Sequence, residues 1–212
     1  MDSQLWIQPD FLTTDMKLGV MAELQANDKF FQRPIGAYGV PIPRGQMAFG
    51  EGTYTYGKLV IQSVPPPSHI NKIMSYIREK LDLASVKFVL VNKYETGRDS
   101  VGLHTDNEKD LNPGDPIFSL SLGTPRRFII RPHTIPKTTK PNVEYGPYNP
   151  GACSLFSHPS IPYSKISVEV EAGDNILLVM AGSRFQSDFC HEVPKQPKVT
   201  GIRYNLTFRS MK

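Results

Sequence analysis

The stretch Gly201-Ile202-Arg203-Tyr204-Asn205-Leu206-Thr207-Phe208-Arg209 alternates polar and apolar side chains throughout. An extended strand sends successive side chains to opposite faces, so the pattern excludes a helix here and predicts a two-faced strand. Ile202, Tyr204, Leu206 and Phe208 share one face, and Arg203, Asn205, Thr207 and Arg209 share the other. A half-exposed strand with its polar row in water explains the alternation as well as a row that binds an anion. The strand alone does not choose between them.

Strand-like segments recur at 47–49, 54–61, 86–94, 117–122, 127–131, 166–170, 175–179 and 199–209. Turn chemistry separates them, as at Asn112-Pro113-Gly114-Asp115-Pro116 and Ala172-Gly173-Asp174. Two helices lie among the earlier segments. Thr14 is expected to cap the first, which runs to about Ala26 with Leu18, Met21 and Leu24 on its apolar face. The second starts at Ser68, where Ile70, Ile73, Met74, Ile77 and Leu81 fall at helical spacing. The predicted fold is therefore mainly β with flanking helices (α+β), a double-stranded β-helix or jelly roll with the helices on one outer face. Residues 132–162 show neither period and are rich in Pro, Thr, Asn and Gly, so they read as a loop insertion, either a lid or a disordered segment.

A chain of 212 residues with 39% hydrophobic content can bury one sizeable core, and a single domain over 1–212 is expected. The net charge of +4 leans towards polyanionic partners without selecting one. The amino end lacks a basic region followed by an apolar run, and no run of 18 apolar residues occurs, so neither secretion nor a membrane partner is expected. Cys153 and Cys190 are too few for a disulfide framework, which points to a reducing, intracellular setting, nuclear or cytoplasmic, with free thiols.

Metal chemistry is suggested by Leu103-His104-Thr105-Asp106-Asn107-Glu108 together with His191. Two imidazoles and one carboxylate are the donor set of non-haem Fe(II) oxygenases, which leaves three positions on the ion for co-substrate and oxygen. His69, His133 and His158 are also present, and a solvated His104 beside acidic neighbours fits this motif equally well. The arginine row adds weight to the metal reading. Such oxygenases take electrons from 2-oxoglutarate, and a buried dianion requires paired charge and donors. Arg203 and Arg209, with Asn205 and Thr207 between them, supply planar cationic forks, an amide and a hydroxyl on one strand face.

In this order and spacing, Asn92-Lys93-Tyr94, His104-Thr105-Asp106-Asn107-Glu108, His191 and Arg203-Tyr204-Asn205-Leu206-Thr207-Phe208-Arg209 resemble the AlkB-like Fe(II)/2-oxoglutarate dioxygenases. Pro43-Arg44-Gly45-Gln46, Phe49-Gly50-Glu51, Tyr54-Thr55-Tyr56, Asn112-Pro113-Gly114-Asp115-Pro116-Ile117 and Val193-Pro194-Lys195 support the likeness, which is greatest to the eukaryotic-type DNA and RNA repair demethylases. The resemblance covers about Pro9 to the end, apart from 132–162.

The resemblance implies roles for these residues. His104, Asp106 and His191 match iron ligands and catalytic residues; Asn92, Tyr94, Arg203, Asn205, Thr207 and Arg209 match the 2-oxoglutarate site, with Arg203 on the distal carboxylate. Tyr54, Tyr56, Arg44, Asn107 and Glu108 are candidates for substrate contact, with the tyrosines as platforms for a flipped base; Asn107 stands where that branch often has Asp. The two tyrosines read equally well as an ordinary core-packed strand pair. Residues 35–62 match the nucleotide-recognition segment, and 86–131 with 163–212 match the jelly-roll core. Tyr38 or Val40 is a candidate wedge for the gap left by a flipped base, and Arg33, Arg44, Lys58, Arg98, Arg126, Arg127 and Arg131 are candidate phosphate contacts. The implied reaction uses Fe(II), 2-oxoglutarate and O2 to demethylate N1-methyladenine or N3-methylcytosine in DNA or RNA, releasing formaldehyde and succinate, and the protein is expected to act as a monomer. A protein- or lipid-modifying oxygenase, a non-catalytic nucleic-acid-binding module and a zinc hydrolase are the competing readings; the last leaves the arginine row unexplained. Exchange of His104 or Asp106 for Ala is expected to abolish turnover with folding intact.

Overall fold

A computed structural model describes residues 4–36, 39–56, 59–80, 83–132, 142–145 and 168–212. The strands are β1 (Gln4–Gln8), β2 (Gly45–Gly50), β3 (Thr53–Tyr56), β4 (Leu59–Val64), β5 (Val86–Tyr94), β6 (Val101–His104), β7 (Ile117–Gly123), β8 (Arg126–Pro132), β9 (Asn142–Tyr145), β10 (Val168–Ala172), β11 (Ile176–Ala181), β12 (Phe189–Val193) and β13 (Arg203–Ser210). The helices are α1 (Thr14–Ala26), α2 (Ser68–Lys80) and the single turn α3 (Phe185–Asp188). Nine strands form one sheet in the order β3-β4-β2-β5-β13-β7-β11-β1-β9, and four form a second in the order β10-β8-β12-β6.

The two faces of the large sheet have different partners. Tyr204, Leu206 and Phe208 of β13 join Val89, Val91, Phe118, Leu120 and the α2 residues Ile70, Ile73, Met74 and Ile77 in one core. On the opposite face, Tyr94, Ile117 and Met180 pack against Phe128, Ile130, Phe189 and Val193 of the small sheet. The polar row of β13 lies on that second, inter-sheet side: Arg203 is 1% exposed, Asn205 7%, Thr207 5% and Arg209 3%. The row is not in water, and the reading as an ordinary half-exposed strand fails. Ile202 precedes the strand and is exposed, so it does not belong to the apolar face.

Other departures from expectation have local causes. The segment 54–61 is a hairpin of β3 and β4 paired Thr53 to Gln62, not one strand. β1 and β2 both join the large sheet outside the expected core segments, and the backbone of β9, within 132–162, runs parallel to β1. The first helix is capped by Thr13, whose hydroxyl accepts from the Met16 amide, and not by Thr14. Its buried residues are Val20 and Leu24, whereas Leu18 is exposed. Leu81 lies outside the described residues.

The two long helices are joined by a capping contact. Glu23 of α1 accepts from the backbone amides of His69 (2.8 Å) and Ile70 (3.2 Å) in the first turn of α2, and also faces His69 Nδ1 at 2.8 Å. These amides have no partner within their own helix, and a carboxylate there also complements the helix dipole. The helices approach so closely that a Cβ on Gly19 would collide with the His69 ring. Glu23→Ala is expected to lower stability by about 1–2 kcal/mol; urea denaturation followed by circular dichroism measures it, and no loss would show that the contact is incidental.

Candidate active site

The inter-sheet space opens into a cavity of about 1060 Å³. Its floor is the large sheet, where β5, β13 and β7 are neighbours and contribute Asn92, Tyr94, Ser119, Asn205, Thr207 and Arg209 to the wall. The facing small sheet supplies His104 from β6 and His191 from β12, which are direct partners in the antiparallel register. Asp106 follows β6, and its backbone amide donates to Gln186 Oε1 at 2.9 Å.

His104, Asp106 and His191 present ligand atoms all within 4.8 Å of one another. His104 Nε2 lies 3.7 Å from Asp106 Oδ1, and His191 Nε2 lies 3.6 Å from Asp106 Oδ2. Ligand bonds of about 2.1 Å span up to about 4.2 Å across an ion, so both separations suit a shared metal. The Nδ1 of His104 is 2.9 Å from the Gly102 carbonyl, which can only accept, so Nδ1 carries a proton and Nε2 is the nitrogen available to a metal. Burial pushes the His191 imidazole down to about 3, with Asp106 opposing and His104 and Arg209 adding to the fall, so the ring is neutral as a ligand must be. Phe128 stacks on that ring at 5.2 Å.

Charge on the large-sheet side is concentrated at Arg209. Its Nη2 donates to Asp106 Oδ1 at 2.7 Å and its Nη1 to Glu108 Oε1 at 3.1 Å. Burial alone would raise the Asp106 carboxyl, but the Arg209 cation hydrogen-bonded to it outweighs this and holds it below the ordinary carboxylate range. Burial disfavours the Arg209 cation, yet Asp106, Glu108 and Tyr54 reverse this and keep it charged. Arg203 lies against the Tyr94 ring at 5.0 Å, just outside the cavity wall, and donates from Nη2 to Ser121 Oγ at 2.8 Å. Its Nε and Nη1, with Arg209 Nε and His191 Nδ1, are buried without a partner. Orphaned cationic donors beside a two-histidine, one-carboxylate cluster fit Fe(II) together with a dicarboxylate, because each lacks what such a ligand provides.

Family membership follows from comparison with known sequences. The sequence model of the 2OG-Fe(II) oxygenase superfamily matches residues 4–209. The chain belongs to that superfamily. Its members use Fe(II), 2-oxoglutarate and O2, and the fit described above is to those groups. Among curated proteins, the chain is 27% identical over 176 residues to the DNA oxidative demethylase ALKBH2 of Homo sapiens, covering 80% of this chain and 57% of that protein. It is 28% identical over 172 residues to the human alpha-ketoglutarate-dependent dioxygenase alkB homolog 3, covering 80% and 52%. This superfamily member thus spans little more than half the length of those relatives. The solved structure of OsALKBH1 has the same fold, with a TM-score of 0.62 at 17% identity, covering 99% of each chain.

Several substrate-site expectations for this superfamily member change in the structure. Arg44 donates from Nε to Asn92 Oδ1 at 2.8 Å, so that nitrogen is engaged with Asn92. Asn107 and Glu108 line a smaller adjoining cavity of about 310 Å³ instead of the main one, the two sharing Asp106 and Arg209 as a wall. Tyr54 lines the main cavity, but Arg209 lies over its ring at 5.4 Å and Phe88 stacks on it at 6.3 Å, so the expected platform is already engaged. The side chain of Tyr56, and all of Tyr38 and Lys58, lie outside the described residues. Val40 is exposed on the cavity rim beside Ile35, Val60 and Leu103.

The phosphate candidates divide. Arg126 is buried, donating to the carbonyls of Thr96, Asp99 and Pro194, and Arg33 grips Asp99 with both terminal nitrogens at 3.0 and 3.1 Å. Arg131 pairs with Glu192 at 2.9 Å. Both Arg127 and Arg98 are exposed. Residues that sequence reasoning missed are Gln46, Ser119, Ser121 and Gln186. The serines were detectable: Ile117-Phe118-Ser119-Leu120-Ser121-Leu122 alternates like β13, and Ser119 and Ser121 face Asn205 and Arg203.

Proposed function

We propose that this superfamily member is an oxidative demethylase of N-alkylated nucleobases, acting on N1-methyladenine and N3-methylcytosine in DNA or RNA. The observation that carries the reading is the cavity itself. It is lined by the metal cluster, by a polar row suited to a dicarboxylate and by the exposed apolar residues Ile35, Val40, Val60 and Leu103. Its volume of about 1060 Å³ lies at the upper end of the range of about 300–1000 Å³ usual for small-molecule clefts, enough for co-substrate and a base together. The likeness to proteins named as DNA oxidative demethylases supports the choice of substrate.

In this reading His104, Asp106 and His191 hold Fe(II), Arg203 takes the far carboxylate of 2-oxoglutarate, and Asn92, Tyr94, Asn205 and Thr207 fix its orientation. When bound, iron, 2-oxoglutarate and O2 supply the oxidation that turns an N-methyl group into a hydroxymethyl group, which leaves as formaldehyde while 2-oxoglutarate becomes succinate and CO2. Arg209 orients Asp106 and neutralises its charge. The methyl lies on the pairing edge, so the base must leave any duplex to reach the cavity, where the apolar rim and the His104 ring exclude water around it. We also assign the protein to an intracellular setting and to action as a monomer. No helix among the described residues is long and apolar enough to cross a membrane.

Mass spectrometry of methylated oligonucleotides incubated with protein, Fe(II), 2-oxoglutarate and ascorbate tests the proposal. Single- and double-stranded DNA and RNA carrying each lesion form the panel. Methyl loss that requires 2-oxoglutarate is expected; conversion of 2-oxoglutarate to succinate with every oligonucleotide intact would retain the oxygenase and reject the nucleobase.

A further inference from the structure

Asn92 resembles a co-substrate contact, but an amide has two unlike ends: its oxygen only accepts and its nitrogen only donates. A carboxylate ligand also only accepts, so Asn92 is useful to 2-oxoglutarate only with its nitrogen turned towards the cavity. The structure shows what sets that orientation. Asn92 Oδ1 accepts from Arg44 Nε at 2.8 Å and from Gln46 Nε2 at 2.9 Å. Rotating the amide would place its NH2 group against Arg44 Nε, a donor that cannot become an acceptor, and leave both unsatisfied.

We propose that Arg44, assisted by Gln46, is a positioning residue for co-substrate binding, clamping the Asn92 oxygen so that the Asn92 amide nitrogen faces 2-oxoglutarate. The inference rests on the oxygenase reading of the cavity. Gln46 is fully buried in β2, next to β5, and its amide follows the orientation that Arg44 imposes on Asn92. Arg44 is only partly buried and comes from the end of the 34–44 segment, several of whose residues line the cavity. Its Nη1 approaches the Ser100 carbonyl at 3.4 Å, and the Ser100 amide in turn donates to the Pro43 carbonyl at 2.9 Å. Two contacts therefore brace the arginine where it meets Asn92. A cation whose Nε is committed in this way acts on Asn92, which lines the same cavity.

Calorimetric titration of 2-oxoglutarate into anaerobic Fe(II)-loaded protein, with no nucleic acid present, separates this role from phosphate contact. Arg44→Met keeps the aliphatic stem and removes the donor; it is expected to weaken 2-oxoglutarate about tenfold, the loss of one charge-assisted hydrogen bond. Arg44→Lys should recover part of the affinity, because an ammonium can still donate to Asn92 Oδ1, whereas a purely steric role would not be rescued by a differently shaped cation. Oligonucleotide affinity, measured by fluorescence anisotropy, is expected to change less than 2-oxoglutarate affinity. Unchanged 2-oxoglutarate affinity in Arg44→Met with weakened oligonucleotide binding would overturn the clamp and restore the arginine to the substrate. If the unsubstituted Fe(II)-loaded protein takes up no 2-oxoglutarate, the oxygenase reading fails and the clamp fails with it.

Discussion

Asp106→Ala is expected to abolish turnover and to destabilise the fold by about 3–5 kcal/mol, because it removes one partner of a buried ion pair. Arg209 is 3% exposed, and Asp106 receives its shortest hydrogen bond, at 2.7 Å. Glu108 remains as a second partner, which limits the loss but does not cancel it. His104→Ala should remove turnover equally while changing stability by less than about 1 kcal/mol, because His104 is partly exposed and its ring hydrogen-bonds to the Gly102 carbonyl and not to a buried charge. Normal folding therefore remains the expectation for the histidine variant and is revised for the aspartate variant. Urea denaturation of the two variants, together with a demethylation assay, checks the contrast. Equal stability would mean that the Asp106–Arg209 pair contributes nothing to the fold.

Arg203→Met is expected to act in opposite directions on stability and binding. The guanidinium is buried at 1% exposure with two nitrogens unpartnered, and burial lowers its pKa, so the ligand-free protein carries the desolvation cost of a cation without a matching anion. Methionine fills similar space without that cost, so the ligand-free variant should be at least as stable, by up to about 2 kcal/mol more. Its affinity for 2-oxoglutarate should fall at least about 100-fold, since charged hydrogen bonds to the far carboxylate are lost. Thermal melts with and without 2-oxoglutarate read both effects. The unsubstituted protein should melt higher when the ligand is added, and the variant should not respond. A variant that melts lower without ligand and still responds to 2-oxoglutarate would show that Arg203 has a structural role only.

The arginine row was legible because alternation is a backbone property, independent of what covers each face. Its burial was not, since the small sheet that covers Arg203 and Asn205 is assembled from β6, β8, β10 and β12, four segments scattered between residues 101 and 193. Phe189-Cys190-His191-Glu192-Val193 was hard to read as a strand because four of its five residues are buried, on both faces, which erases alternation. The first helix misled for the opposite reason: its spacing offers more than one apolar stripe, and only packing on α2 selects Val20 and Leu24 over Leu18. His104, Asp106 and His191 were visible as residue types with a metal spacing, yet their convergence depends on the β6–β12 register, which local sequence does not encode. Arg44 shows the limit most plainly. A cation in a segment resembling a nucleotide-recognition motif suggests phosphate, and only the 2.8 Å contact to Asn92 reveals another role.

The most direct measurement compares three quantities in one reaction with a single-stranded N1-methyladenine oligonucleotide: methyl groups lost, formaldehyde released and succinate formed. The unsubstituted protein should give equal amounts of all three, and His104→Ala none. Methyl loss without succinate, or unchanged turnover in His104→Ala, would contradict an iron- and 2-oxoglutarate-dependent demethylase built on His104, Asp106 and His191.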